Sequence, residues 1–225
     1  MIYLSLSLLI LVIVSSCKKE HTTLPSPASL DYFPTRDGHW VVYDVDSVVH
    51  ADNDGNTDDS VRYYHFQIKE LISSTFTDGE GRPTQRIERY RRDNDSTDWT
   101  ITSVWTSTLV SNRAERVEDN IRYIPLAFPI NSNITWNGNT FNQLGEQDYT
   151  YDGFHEALSI STFSFDSSLT VVRVDDDNFV ERTLSKEKYA VHVGRVYKVY
   201  QDLFKYGGQV VSGLDYQETI SDYGN

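Results

Sequence analysis

Apolar and polar residues alternate with period two over most of the chain. Tyr64, Phe66, Ile68, Ile72 and Phe76 share one parity and are opposed by Lys69, Ser73, Thr75 and Thr77. This is the pattern of a strand with one buried face and one solvated face. Trp99, Ile101, Trp105 and Leu109 repeat it against Thr100, Thr102, Thr106 and Thr108. Val41, Tyr43, Val45 and Val49 form another such face, blurred by Trp40 and Val42 on the opposite parity. Further β-rich runs cover 121–128, 168–174, 196–206 and 209–220. Turn residues fall between the runs: Asp52 to Gly55, Asp78 to Pro83, Asp93 to Ser96, Asp175 to Asn178, and Gly207-Gly208. The Gly-Gly pair predicts a two-residue hairpin, because such turns need positive φ. Lys186, Glu187, Lys188 and Ala190 lower the β propensity enough to predict a short helix over Ser185 to Val193. The expected fold is all-β: one antiparallel domain, a strongly curved sheet or incomplete barrel, preceded by an N-terminal signal helix.

The first residues follow a different rule. Ile2 to Val14 is apolar apart from Ser5 and Ser7, and Ser15, Ser16 and Cys17 follow at once. The run is shorter than the roughly 18 to 20 residues a membrane-spanning helix needs, and its small-residue ending is that of a secretory signal. Val14-Ser15-Ser16-Cys17 resembles the lipobox of bacterial lipoproteins, in which signal peptidase II cleaves just before a cysteine that becomes lipidated. One departure is that no Lys or Arg precedes the apolar run. Cys17 is the only cysteine, so no disulfide can form within the chain, and a thioether would remove a reactive thiol in an oxidising compartment. Two or more acyl chains make such an anchor stable. Lys18 to Asp31 carries Pro25 and Pro27 without apolar periodicity and reads as a tether of at most about 50 Å. The chain thus divides into a signal peptide (1–16), lipidated Cys17 with its tether (17–31), and a single β domain (32–225).

The net charge of -13 argues against nucleic acid as a partner and against adsorption on anionic membranes. Contact with the membrane is expected through the lipid alone, and the protein is expected to be a monomer. Against this acidity, Arg82, Arg86, Arg89, Arg91 and Arg92 crowd one short segment. They are a candidate anion patch, since guanidinium forks hold carboxylates and phosphates. The competing reading, which the frequency of surface ion pairs favours, is an edge strand whose charges pair with neighbouring acids. Asp52, Asp54, Asn56 and Asp58 are a candidate calcium set. The EF-hand register fails, however, because it would place His50 and Val61 at ligand positions, and a solvated hairpin loop is the default. Asp175 to Asn178 reads the same way. Nucleophile elbow, zinc-protease and phosphate-loop motifs are missing, and the six histidines show no metal-ligand spacing. A non-enzymatic protein without a cofactor is the expectation. The aromatics are more suggestive. Trp40, Tyr43, Trp99, Trp105 and Trp136, with fifteen tyrosines in all, either fill a barrel interior or line a concave site for a lipid or a glycan.

Two stretches carry a further resemblance. Phe33-Pro34, Gly38, Trp40 and Tyr43, and later Tyr189-Ala190, Val193-Gly194, Val196 and Tyr197-Lys198, resemble the opening and closing segments of uncharacterised lipoproteins from Bacteroidota. Trp136 and Gly138 match a sparser middle signature. The resemblance implies an outer-membrane lipoprotein with a half-barrel similar to that of carriers of the LolA/LolB type; it implies no catalytic residue. Arg195 departs from the pattern, standing where an apolar residue is expected. Lys18 does not resemble an inner-membrane retention signal, which favours the outer membrane, with the leaflet open. An apolar ligand or envelope partner is the preferred role, and a glycan-binding surface protein is the alternative.

Overall fold

The computed structural model describes residues 27–50 and 61–225. Cys17 and the calcium set Asp52, Asp54, Asn56 and Asp58 lie outside the described residues. After a single helical turn, α1 (Pro27–Leu30), the alternation resolves into twelve strands. These are β1 (Trp40–His50), β2 (Arg62–Thr77), β3 (Pro83–Arg92), β4 (Thr100–Val110), β5 (Arg113–Glu118), β6 (Ile121–Ala127), β7 (Thr135–Asn137), β8 (Asp148–Ile160), β9 (Phe163–Asp177), β10 (Glu181–Ala190), β11 (Gly194–Tyr206) and β12 (Gln209–Gly224). All twelve form one antiparallel sheet in the order β6-β5-β4-β3-β2-β1-β12-β11-β10-β9-β8-β7. Every neighbour is a sequence neighbour except β1 and β12, whose pairing (Tyr43 opposite Ile220, Val45 opposite Glu218) joins the two halves of the chain.

The sheet curls into a nearly closed barrel. Its terminal strand β6 meets β7, the residue just after it, and β8 through individual bonds. Ile124 N–H donates to Gly138 O at 2.9 Å, the Trp136 indole N–H donates to Ile124 O at 2.8 Å, and the Tyr151 hydroxyl donates to Ala127 O at 2.6 Å. Register shifts in β8, β9, β10 and β11 supply the bends that such curvature needs. Gly207 and Gly208, both at positive φ, make the expected hairpin between β11 and β12.

The helix expected over Ser185 to Val193 is instead strand β10 and the turn after it. The strand pairs with β9 on one side and β11 on the other, and its buried positions Ser185, Glu187 and Tyr189 alternate with Lys186 and Lys188. Paired ladders on both edges override the intrinsic preference of a Lys-Glu-Lys run. Strand β9 also continues to Asp177, which shortens the turn expected over Asp175 to Asn178.

Odd-numbered strands run one way and even-numbered strands return, so the barrel has an entry end and a distal end. The chain arrives at the entry end, and the last residues of the expected tether belong to the fold. Asp31 O accepts from His192 N–H at 2.8 Å. Fully buried Tyr32 shares its hydroxyl with Ser167 Oγ (2.7 Å) and His155 Nδ1 (3.0 Å). Phe33 and Pro34 lie against Gly194, where a Cβ would stand 2.8 Å from Pro34 Cδ. The two stretches that carry the family resemblance therefore pack on each other at this end. Gly138 of the middle signature is equally constrained, since a Cβ there would stand 2.2 Å from the Tyr149 ring.

Candidate functional site: a charged barrel interior opening into a cup

The interior of the barrel is ionic at mid-height. Arg195, buried on β11, donates from Nη2 to Glu70 Oε1 on β2 at 2.9 Å and to Glu218 Oε2 on β12 at 2.6 Å. Its Nη1 lies 3.5 Å from Glu187 Oε1 on β10. Arg89 reaches Glu70 and Glu218, each at 3.2 Å. Arg116 holds the other oxygen of Glu70 at 3.0 Å, and Arg173 holds Glu187 at 2.8 Å. Tyr189 and Tyr216 donate their hydroxyls to Glu187 and Glu218, each at 2.6 Å. Each glutamate therefore meets two or more cations or hydroxyls, which is the condition for burying charge. Burial pushes the Glu70 carboxyl up, but the guanidiniums of Arg116, Arg195 and Arg89 outweigh it and hold the group at about 2. For Glu187 and Glu218 burial is again outweighed, chiefly by Arg173 and Arg195 respectively, and both stay below the usual carboxylate range.

Arg195 is thus no interruption of an apolar strand but the centre of the lattice, and the expectation of an apolar residue there is corrected. Glu70 was equally hidden in the pattern: it shares the parity of Phe66, Ile68 and Ile72, where a charge reads as a gap.

On the entry side of the lattice lies a cavity of about 40 Å³ among Phe33, Tyr43, Ile72, Ile87, Tyr189 and Val193. It has room for a water or two. On the distal side the interior opens into a cup of about 550 Å³, within the size range of small-molecule sites. Tyr123, Tyr149, Tyr200 and Tyr216 contribute rings, Leu144, Val174 and Leu214 aliphatic surface, Thr183 and Ser185 hydroxyls, Asn139 and Gln147 amides, and Glu118, Arg173 and Lys198 charges. The hairpins β9–β10 and β11–β12 project beyond it and carry exposed rings, Phe179 at 72% and Tyr206 at 78% exposure.

The five aromatics singled out from the sequence are absent from this cup. Three of the four tryptophans, and Tyr43, instead carry a cation on the ring face. Lys69 sits over Trp40 at 4.9 Å, Arg195 over Tyr43 at 5.2 Å, Arg92 over Trp99 at 4.5 Å and Arg89 over Trp105 at 3.9 Å. Trp136 packs on Tyr151 at 4.7 Å between ring centres. The tyrosines that do line the cup alternate with charged residues (Lys198 and Tyr200, Tyr216 and Glu218) and give no apolar parity for sequence reasoning to find.

The five arginines of the candidate anion patch are likewise not brought together. Arg89 turns into the barrel. Arg82 is held by Asp78, Glu80 and Glu115, Arg86 by Glu88, Arg91 by Asp93, and Arg92 by Asp95. Each pairs with an acid, as the competing reading expects, but its edge strand is corrected: β3 is hydrogen-bonded to β2 on one side and β4 on the other, so these charges sit in the middle of the sheet. Asp175 is taken by Arg182 and Lys186, and Asp177 by Lys205. Among the described residues no group of three His, Cys, Asp or Glu side chains is placed to hold a metal ion.

No protein-family model and no curated protein matches the sequence. Among solved structures, the chain is similar to a candidate lipoprotein from Parabacteroides distasonis. Identity is 11% and the TM-score 0.40, over 86% of this chain and 98% of that one.

Proposed function

We propose that this chain is a lipid-anchored protein of the bacterial outer membrane, attached through Cys17, and that its barrel is a non-catalytic, monomeric module that binds a small ligand in the distal cup. The cup carries this reading: it is a concavity of ligand size, floored by a rigid ionic lattice and rimmed by tyrosines. The lipobox resemblance supports the anchor. The barrel is entered at Tyr32, so the anchor attaches to the entry end and the cup opens at the opposite end.

The chemistry of the cup turns the preference away from an acyl chain. Leu144, Val174 and Leu214 offer apolar surface, but Lys198, Gln147, Thr183 and Ser185 would be desolvated against hydrocarbon, at a cost of about 1–3 kcal/mol for each neutral group and more for the charge. Tyrosine faces flanked by hydrogen-bonding groups suit a polar ligand with flat or sugar-like faces, which favours the glycan alternative. Native mass spectrometry of the full lipidated chain, released from envelopes in detergent micelles, tests the reading. A retained small polar molecule that disappears from a Ser185→Trp variant, whose indole fills the cup, is the expected result. A cup occupied only by lipid overturns the polar preference, and hydrolytic activity abolished by one carboxylate substitution overturns the non-catalytic assignment.

A further inference from the structure

Inside the barrel one cation is left without a contact partner among the described residues, and it lies where solvent reaches. Below the rim the interior carboxylates are Glu70, Glu187 and Glu218 in the lattice and Glu118 at the cup wall; Asp176 and Asp202, each in register with cup-lining Thr183, share the inner face at the exposed rim, Asp202 beside the Tyr200 hydroxyl. The four arginines Arg89, Arg116, Arg173 and Arg195 match them one for one, with Arg116 Nη1 standing 3.7 Å from Glu118 Oε1. Lys198 is the fifth cation. It stands directly opposite Glu218 on β12 and Glu187 on β10, yet those carboxylates are taken by arginine and tyrosine partners. Among the described residues Lys198 makes no salt bridge or hydrogen bond of its own. Its side chain is half-buried and lines the cup. The Arg173 guanidinium, also in the cup wall, lies 5.0 Å from the Tyr149 ring centre.

We propose that the cup selects an organic anion. The acidic head meets Lys198, with Arg173 beside it, and the body of the molecule rests against Tyr149, Tyr200 and Tyr216. This rests on the cup being the binding site and adds the charge of what it takes. With Asp176 and Asp202 at the rim and a net charge of -13 over the chain, the outer surface and mouth repel anions while Lys198 and Arg173 on the floor attract them. Such an arrangement confers selection rather than long-range capture. A charge-assisted contact of a carboxylate with an ammonium in a partly desolvated cup is roughly twice as strong as a neutral hydrogen bond.

The test uses the full chain in detergent micelles and three matched pairs of probes, followed by calorimetric titration: galacturonate with galactose, phenylacetate with phenylacetamide, and dodecanoate with dodecanol. The expected result is that at least one acid binds about tenfold or more tightly than its neutral partner, with affinity falling as salt rises. Lys198→Met abolishes that preference and Lys198→Arg retains it, while the unfolding temperature reports whether either variant is damaged. The pair that shows the preference identifies the body the tyrosines accept. Equal binding of acid and neutral partner, a preference that survives Lys198→Met, or no binding by any of the three acids overturns the proposal. Binding of a neutral probe that is lost in Ser185→Trp would leave the cup as the site and remove only the anion selection. Binding that persists in Ser185→Trp would remove the cup itself.

Discussion

Arg195 Nη2 donates to Glu218 Oε2 at 2.6 Å, and both side chains are about 1% exposed. One guanidinium therefore sits among three carboxylates drawn from β2, β10 and β12. Removing it would leave glutamates buried with too little compensating charge. Arg195→Met is expected to lower stability by about 3–5 kcal/mol, read as a shift in the urea midpoint at constant slope. Arg86→Ala, which frees Glu88 at a half-exposed site, should change it by no more than about 1 kcal/mol. Similar losses from both variants would mean the lattice is not what holds the interior.

Acid should dismantle the same lattice. The Glu70 carboxyl titrates near 2 in the folded protein against an ordinary 4.5, and Glu187 and Glu218 are also lowered. A lowered folded value means that the unfolded chain binds protons first. The stability these groups contribute is complete above about pH 4.5 and drains away as pH falls toward 2. Unfolding temperatures measured between pH 7 and pH 2 should fall steeply in that window. In Glu70→Gln the fall should be shallower, from a lower starting value, and an unchanged slope would count against the assignment.

Gly213 is constrained by backbone rather than by side chains. Its φ is +121°, and a Cβ would stand 2.0 Å from Asp202 O and 2.9 Å from Leu203 Cα on the paired strand β11. Gly213→Ala is expected to destabilise by more than about 1 kcal/mol, since both the φ and the contact are closed to a side chain. Gly79→Ala, with nothing within 4 Å, should be close to neutral. Thermal denaturation of the two variants side by side makes the comparison.

The anchor is tested by fractionation. Wild-type chain is expected in the outer-membrane fraction with labelled fatty acid attached, and Cys17→Ser in the soluble fraction without label. A Cys17→Ser protein that still sediments with membranes would overturn lipid attachment at this position.

Much of the fold was legible because burial on one face of a strand imposes period two, and nine of the twelve strands run ten residues or more, which makes that period hard to miss. Val41, Tyr43, Val45, Phe66, Ile68, Ile72 and Trp105 are buried as the period predicts, and the Gly207-Gly208 hairpin followed from turn chemistry. Tyr64, Phe76 and Ile101, read as belonging to the same buried faces, are exposed instead, and Thr108, read as polar-facing, is buried. The lattice and the cup did not follow from local rules. Glu70 and Arg195 are separated by 125 positions and meet only because β1 pairs with β12 and the sheet curls nearly shut. Along either strand alone, a buried charge looks like a solvent-facing one. Chain order and side-chain period determine which residues share a face; which faces converge, and hence where charges cancel and where one is left over, is decided by closure of the barrel.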